Sequence, residues 1–283
     1  MFEEITRLGS SFIAGTLISI MGSFIQLRSQ NILASTSTVG LDSLSVLWIL
    51  LFHSAMVLFQ VEVPFTIQLF AGIVVFAGFG FYISRFSERN FSIRKLLLIG
   101  LSLNLFVGAF YSLWQFLFLA FNFDFPTELL FGHFRFAGWK EFIPILSTLV
   151  IFLFGLKFYW KDLEIFSTGD QITRLAGVNY QKMSQFFLVM TSISIFLLVF
   201  LFGGFAFLGL VLPIISRGLW FHRMGLKGEF VLGAFINGLL FMLIDLICYL
   251  VPLQGAELPV GLISGVVGSM ALILLLGQKS KTW

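Results

Sequence analysis

Apolar residues in this chain do not follow the spacing of an amphipathic helix or the alternation of a half-buried strand. They come in long unbroken blocks separated by short polar joints. Nine blocks can be marked, at about residues 8–27, 40–60, 63–84, 95–119, 142–160, 184–202, 204–220, 230–251 and 258–277. A helix needs about 20 apolar residues to cross the hydrocarbon core, and in lipid every backbone amide and carbonyl must be bonded internally. Each block therefore predicts a transmembrane helix. The narrowest joint is the tight turn at Gly203 and Gly204. The expected fold class is all-α: one polytopic transmembrane bundle of about nine spans over residues 1–283, with residues 161–183 as a loop within it.

Composition agrees with lipid as the solvent. The 283 residues are 58% hydrophobic and 11% charged, whereas an ordinary soluble domain carries about 25% charged residues. The 38 phenylalanines read as lipid-facing and inter-helix filler. Basic residues test the span count, because they concentrate in cytoplasmic loops. With the amino terminus outside, 14 of the 17 fall on the cytoplasmic side, and only Arg7, Arg135 and Lys140 face outward. A missed or invented span in the middle would scramble that division. An odd count puts the two termini on opposite faces, with the carboxyl terminus in the cytoplasm. The opening MFEEITR is acidic and leads into an apolar run without a small-residue cleavage site, so it is expected to be an anchor and not a removable leader.

Several chemistries are excluded by what the sequence lacks. It has one cysteine, Cys248, and three scattered histidines, His53, His133 and His222, which do not form a ligand cluster, so no resident metal or cofactor is expected. No GxxxxGK[ST], HExxH or GxSxG motif occurs. The chain is therefore not expected to be an enzyme, and energy for uphill transport would come from another subunit or an ion gradient. The net charge of +3 follows from topology and does not point to nucleic acid.

Polar residues inside spans are costly and usually face the bundle interior or a water-filled path. Two helices carry them at spacings of four, three and four, which puts them on one face. One set is Gly15, Ser19, Gly22 and Gln26; the other is Asn104, Gly108, Tyr111 and Gln115. Small residues also let helices pack closely and bond across their interface. That reading is preferred for the first set, and both readings stay open for the second. His53 and Asp245 stand alone in apolar runs and are expected to be bonded within the bundle. Gly261 and Gly265, at GxxxG spacing, predict a packing face. Residues 161–183 read either as a connecting loop or as a short amphipathic helix outside the bilayer, with Gly169 as a turn and Asp170 near the helix start.

Four segments carry a more specific signal. GGFAFLGLVLPIISR (203–217) resembles the GxxGFxGLxxPxxxR signature of the FecCD family of ABC permeases, importers of ferric siderophores, haem and cobalamin. AELPVGLISGVVG (256–268), with Asp245 ahead of it, is similar to that family's AELPxGxxTxxxGxP element and its preceding acidic position. TGDQITRLAGV (168–178) resembles the family's coupling loop, and GTLISIMGSFIQLRSQNILASTSTVG (15–40) its GxxLxxxGxxxQxxxxNPLAxPxxLG pattern.

The resemblance implies a permease of about ten helices paired with a second permease, two ATP-binding subunits and an extracytoplasmic substrate-binding protein. Gly169, Asp170, Leu175, Gly177 and Val178 would seat in a groove of the ATPase. Asn31 and Leu33 match positions near the cytoplasmic gate; Ile93 and Arg94 occupy gate positions usually held by small hydroxyl residues. The Asn104, Tyr111 and Gln115 face is the candidate translocation path, and Arg7, Arg135 and Lys140 are the candidate docking cations. The chain departs from the family in three ways. It begins where the family's second span begins, its outward RxPR pattern is reduced to Arg7 with Glu4 at the other arginine position, and Ile32 and Thr36 replace prolines. Two alternatives are a zinc or manganese ABC permease and an ion-coupled secondary transporter.

Overall fold

The computed structural model describes residues 2–89, 93–121, 131–168, 173, 175–176, 180–205, 208–217, 222–252 and 257–277. Helix follows helix: α1 (Phe2–Ser29), α2 (Leu41–Phe59), α3 (Phe65–Arg89), α4 (Ile93–Ala120), α5 (Trp139–Phe158), α6 (Trp160–Ser167), α7 (Tyr180–Phe202), α8 (Leu208–Ser216) and α9 (His222–Lys227). A π-helical turn (Gly228–Gly233) then leads into α10 (Ala234–Leu250), and α11 (Val260–Gly277) follows. No strand occurs among the described residues.

Every apolar block carries a helix, and among the described residues seven helices are long and apolar enough to cross a membrane. Within the 204–220 block the described residues form α8, nine residues or about 14 Å long at 1.5 Å per residue. Gly203 takes φ +87°, a left-handed conformation open to glycine, and α7 ends there. Residues 203–205 continue without helical structure before α8 begins.

Helix α1 is the axis of the bundle, with 83% of its apolar window buried, whereas α3 and α4 bury 17% each and present broad apolar surfaces. Around α1 stand α10, α8, α5 and α7; α3 packs on α7, and α2 lies between α7 and α4. We call the end where α1 starts the near end and the opposite end the far end.

At the near end three loops are knitted through their backbones. His133 N–H donates to Phe202 O (2.8 Å), Gly132 N–H to Gly204 O (2.9 Å) and Gly261 N–H to Gly132 O (2.9 Å). Phe134 plugs the knot, buried against Phe202, Phe205 and Phe241 at ring distances of 4.7, 5.4 and 5.7 Å. At the far end α1 stops at Gln30 (φ 47°) and the chain folds into a tight polar turn. There Asn31 Oδ1 accepts from Leu33 N–H (3.0 Å), and Thr38 Oγ1 accepts from Ser35 N–H (2.7 Å) while donating to Ser35 O (2.9 Å).

Candidate functional site

A line of buried polar side chains runs along the helix ending in α10. Glu229, Asn237 and Asp245 recur every eight residues, and each reaches across to α1 or to the end of α8. In the middle, Asn237 Nδ2 donates to Ser19 Oγ (2.8 Å), Leu212 O (2.9 Å) and Ser216 Oγ (2.6 Å), binding three helices at one point. Small residues allow that approach. Gly15 lies against Asn237 and Gly238, Gly22 against Gly209, and Gly233 against Ser216, so closely that a methyl group at any of the three would overlap its neighbours. One turn past Gly22, Gln26 Nε2 donates to Leu210 O (3.1 Å). The α1 face of Gly15, Ser19, Gly22 and Gln26 is thus a packing face.

At the far end, Arg217 just beyond α8 grips Glu229 in the π-helical turn, Nη2 to Oε1 at 2.6 Å and Nε to Oε2 at 3.2 Å. Glu229 is 2% exposed. Removing one partner of such a pair strands a buried charge, at a cost of about 3–5 kcal/mol. Gly225, with φ +58°, kinks the helix before this turn.

At the near end, Arg7 is held from three sides. Nε and Nη2 donate to the two carboxylate oxygens of Asp245 (3.2 and 2.9 Å), Nη1 donates to Glu257 Oε2 (2.8 Å), and Cζ lies 4.6 Å from the Tyr249 ring centre. Its side chain is 11% exposed. Arg7 is therefore not the free outward cation expected of a docking residue; its charge is spent on two carboxylates of its own chain. Asp245 is bonded inside the bundle, as expected. Next to this network opens a cleft of about 680 Å³, lined by Glu4, Arg7, Arg135, Phe136, Tyr249 and Glu257 among others. Arg135 is exposed and lies 5.6 Å from the Phe136 ring centre. Lys140 is exposed in the first turn of α5.

The face carrying Asn104, Tyr111 and Gln115 is assembled differently. Asn104 Nδ2 donates to Ser37 O (2.7 Å) and its Oδ1 accepts from Ser43 Oγ, tying α4 to the far-end turn and to α2. Tyr111 is buried and Gln115 half-buried, but nothing lies within 4 Å of a methyl group placed on Gly108. One turn beyond Tyr111, Trp114 Nε1 donates to Ser54 Oγ (2.5 Å).

The remaining expected residues lie at the far end or outside the described set. Asn31 is half-buried and Leu33 41% exposed in the polar turn. Ile93 and Arg94 form the first turn of α4, with side chains outside the described set. In the 161–183 segment, α6 is followed by Thr173, buried and donating to Ile165 O (3.4 Å), and by Leu175, helical and 89% exposed. Gly169, Asp170, Gly177 and Val178 lie outside the described residues. Sequence reasoning missed Glu229, Glu257, Tyr249, Ser43 and Trp114. Only the eight-residue repeat of Glu229, Asn237 and Asp245 could have signalled the first of these.

The helices fit membrane spans, and the bundle they form packs around a central first helix with buried polar clusters at both ends. The chain belongs to the FecCD transport family, whose model matches residues 4–278, and is a permease of the ABC-importer type. It is similar to the iron(3+)-hydroxamate import system permease protein FhuG of Bacillus subtilis, at 29% identity over 98% of this chain and 83% of that protein. The vitamin B12 import system permease protein BtuC of Citrobacter koseri is 25% identical over 96% of this chain and 81% of its own length. Among solved structures, a metal-chelate type ABC transporter in an inward-facing conformation superposes with TM-score 0.78 at 18% identity, over 97% of this chain and 85% of that one.

Proposed function

We propose that this chain is the membrane-spanning subunit of an importer that carries an iron chelate, most specifically a ferric siderophore, across the bacterial inner membrane. The single observation that carries this reading is the family match over nearly the whole chain, supported by similarity along the same length to a ferric-hydroxamate permease. The amino terminus lies outside, so the near end faces the binding protein and the far end the cytoplasm. The chain does no bond chemistry; iron is cargo, and ATP is hydrolysed on two separate subunits.

Transport proceeds by alternating access. A loaded binding protein docks at the near end, with Arg135 and Lys140 as rim cations; Arg7 acts there only through the residues it holds. This chain and a second permease, identical or paralogous, enclose the path, on which Asn104, Tyr111 and Gln115 lie. Asn31, Leu33, Ile93 and Arg94 close it at the cytoplasmic side. Gly169, Asp170, Leu175, Gly177 and Val178 seat in the ATPase and receive its stroke. The exposure of Leu175 beside buried Thr173 supports that role, because it leaves an apolar side chain for a partner to cover.

The test is uptake of labelled ferric hydroxamate, haem and cobalamin by cells with and without this chain. Loss of ferric hydroxamate uptake alone is expected. Loss of haem or cobalamin uptake instead would change the cargo. Loss of zinc or manganese uptake, or uptake that persists when ATP is depleted and an ion gradient is kept, would overturn the reading.

A further inference from the structure

One acid in the bundle has no counter-charge. Asp42 stands in the first turn of α2 at the far end, where its Oδ2 accepts from the Thr36 hydroxyl at 3.4 Å. Its Oδ1 is closed off from solvent and has no hydrogen-bond partner. Among the described residues no ion pair reaches it. The buried carboxylates Asp245 and Glu229 show what such a group needs, since each is met by a guanidinium. The start of α2 supplies a helix N-terminus, equivalent to about half an elementary charge, which falls short of neutralising a carboxylate in a membrane-spanning helix.

The turn that leads into Asp42 is rich in oxygen. Ser35, Thr36, Ser37 and Thr38 follow one another, with the hydroxyls of Ser35 and Ser37 2.8 Å apart. Beside Asp42 on α2, Ser43 donates to Asn104 Oδ1. Oxygen donors suit hard cations, and one carboxylate balances a single positive charge, whereas sites for divalent ions draw on several ligands of that kind.

We propose that Asp42 and Thr36 bind a monovalent alkali cation, Na+ or K+, at the joint between the polar turn and α2, with water completing its shell. The cation gives Oδ1 the partner it lacks. Because Thr36 belongs to the turn and Asp42 to the helix, the ion staples the two together. Thr36 is buried with its hydroxyl close against Gly209 of α8, so the turn is fixed against that helix as well. Asp42 as a whole is half-buried, as are Ser37 and Thr38, which leaves the ion a way in from the far end. The inference stands apart from the importer reading and from the choice of cargo.

The experiment melts the purified full chain in lipid nanodiscs, in NaCl, KCl or choline chloride at equal ionic strength so that screening is constant. Na+ or K+ at about ten times its dissociation constant is expected to raise Tm by about 3 °C over choline, with a shift that saturates. Asp42→Asn should abolish the shift, and Thr36→Val should move its midpoint to higher salt. Equal melting of the wild type in all three salts would overturn the proposal. So would a Tm that follows pH in the wild type but not in Asp42→Asn and that no alkali ion alters, because the carboxyl then carries a proton instead. Should Asp42→Asn not fold, line broadening of the sodium nuclear resonance decides: the wild type is expected to broaden it more than Thr36→Val does, and equal broadening by the two would overturn the site.

Discussion

Two helices carry the same polar rhythm, Gly15, Ser19, Gly22 and Gln26 on α1 and Asn104, Gly108, Tyr111 and Gln115 on α4, yet the bundle uses them in different ways. On α1 every position is consumed: the glycines admit α8 and α10, Ser19 accepts from Asn237, and Gln26 reaches the Leu210 carbonyl. On α4 only part is consumed, since Asn104 and Tyr111 are engaged while Gly108 faces open space. The difference follows from where each helix stands. With 83% of its window buried, α1 has neighbours on all sides, whereas α4 at 17% has them on one side only. A polar stripe on a surrounded helix becomes glue. The same stripe on a helix at the edge is left to face lipid, water or a second subunit.

The contrast can be broken most severely at Gly22. Gly22→Leu drives a side chain into the backbone of α8 at Gly209, at a cost of about 3 kcal/mol, and is expected to abolish the folded, monodisperse protein in detergent. Recovery of a wild-type elution profile would show that α1 is not the packed axis. Asn237→Leu comes next. It leaves Ser19, Ser216 and the Leu212 carbonyl without their shared donor and should lower stability by about 2 kcal/mol, read as a lower melting temperature.

On α4 the effects are smaller in stability and larger in transport. Asn104→Ala removes one tie to the far-end turn, worth about 1 kcal/mol, and uptake should fall further than that loss explains; equal falls would assign Asn104 to packing alone. Gly108→Leu sits in open space within this chain and should change the melting temperature of the isolated subunit by no more than a surface substitution, about 0.5 kcal/mol. A large loss would place an unseen neighbour against that face.

Much of the bundle was legible because lipid leaves the chain few options. Apolar blocks of the required length must be helices, and every one of them is. Local backbone events are what hydropathy leaves out. The left-handed Gly203 that ends α7 is one of them. The π-helical turn at Gly228–Gly233 was invisible for the same reason, since hydropathy does not encode hydrogen-bond register.

The sites divide along a similar line. Asp245 was expected to be bonded in the bundle because a lone carboxylate in an apolar run needs a partner, but its partner lies 238 residues away. Distance along the chain hid that Arg7 was already taken. It also hid Glu257 and Tyr249, which in sequence are an acid before a proline motif and an aromatic at a helix end.

The most direct test of transport driven by a separate motor lies at Leu175. The only native cysteine, Cys248, is completely buried, so Leu175→Cys provides a single reactive thiol at an 89% exposed position. In the assembled transporter, a short thiol-to-amine cross-linker is expected to join it to the nucleotide-binding subunit, with a yield that changes on ATP addition, while impermeant maleimide applied to whole cells leaves it unlabelled. Labelling from outside, or no adduct with any ATPase, would contradict the account.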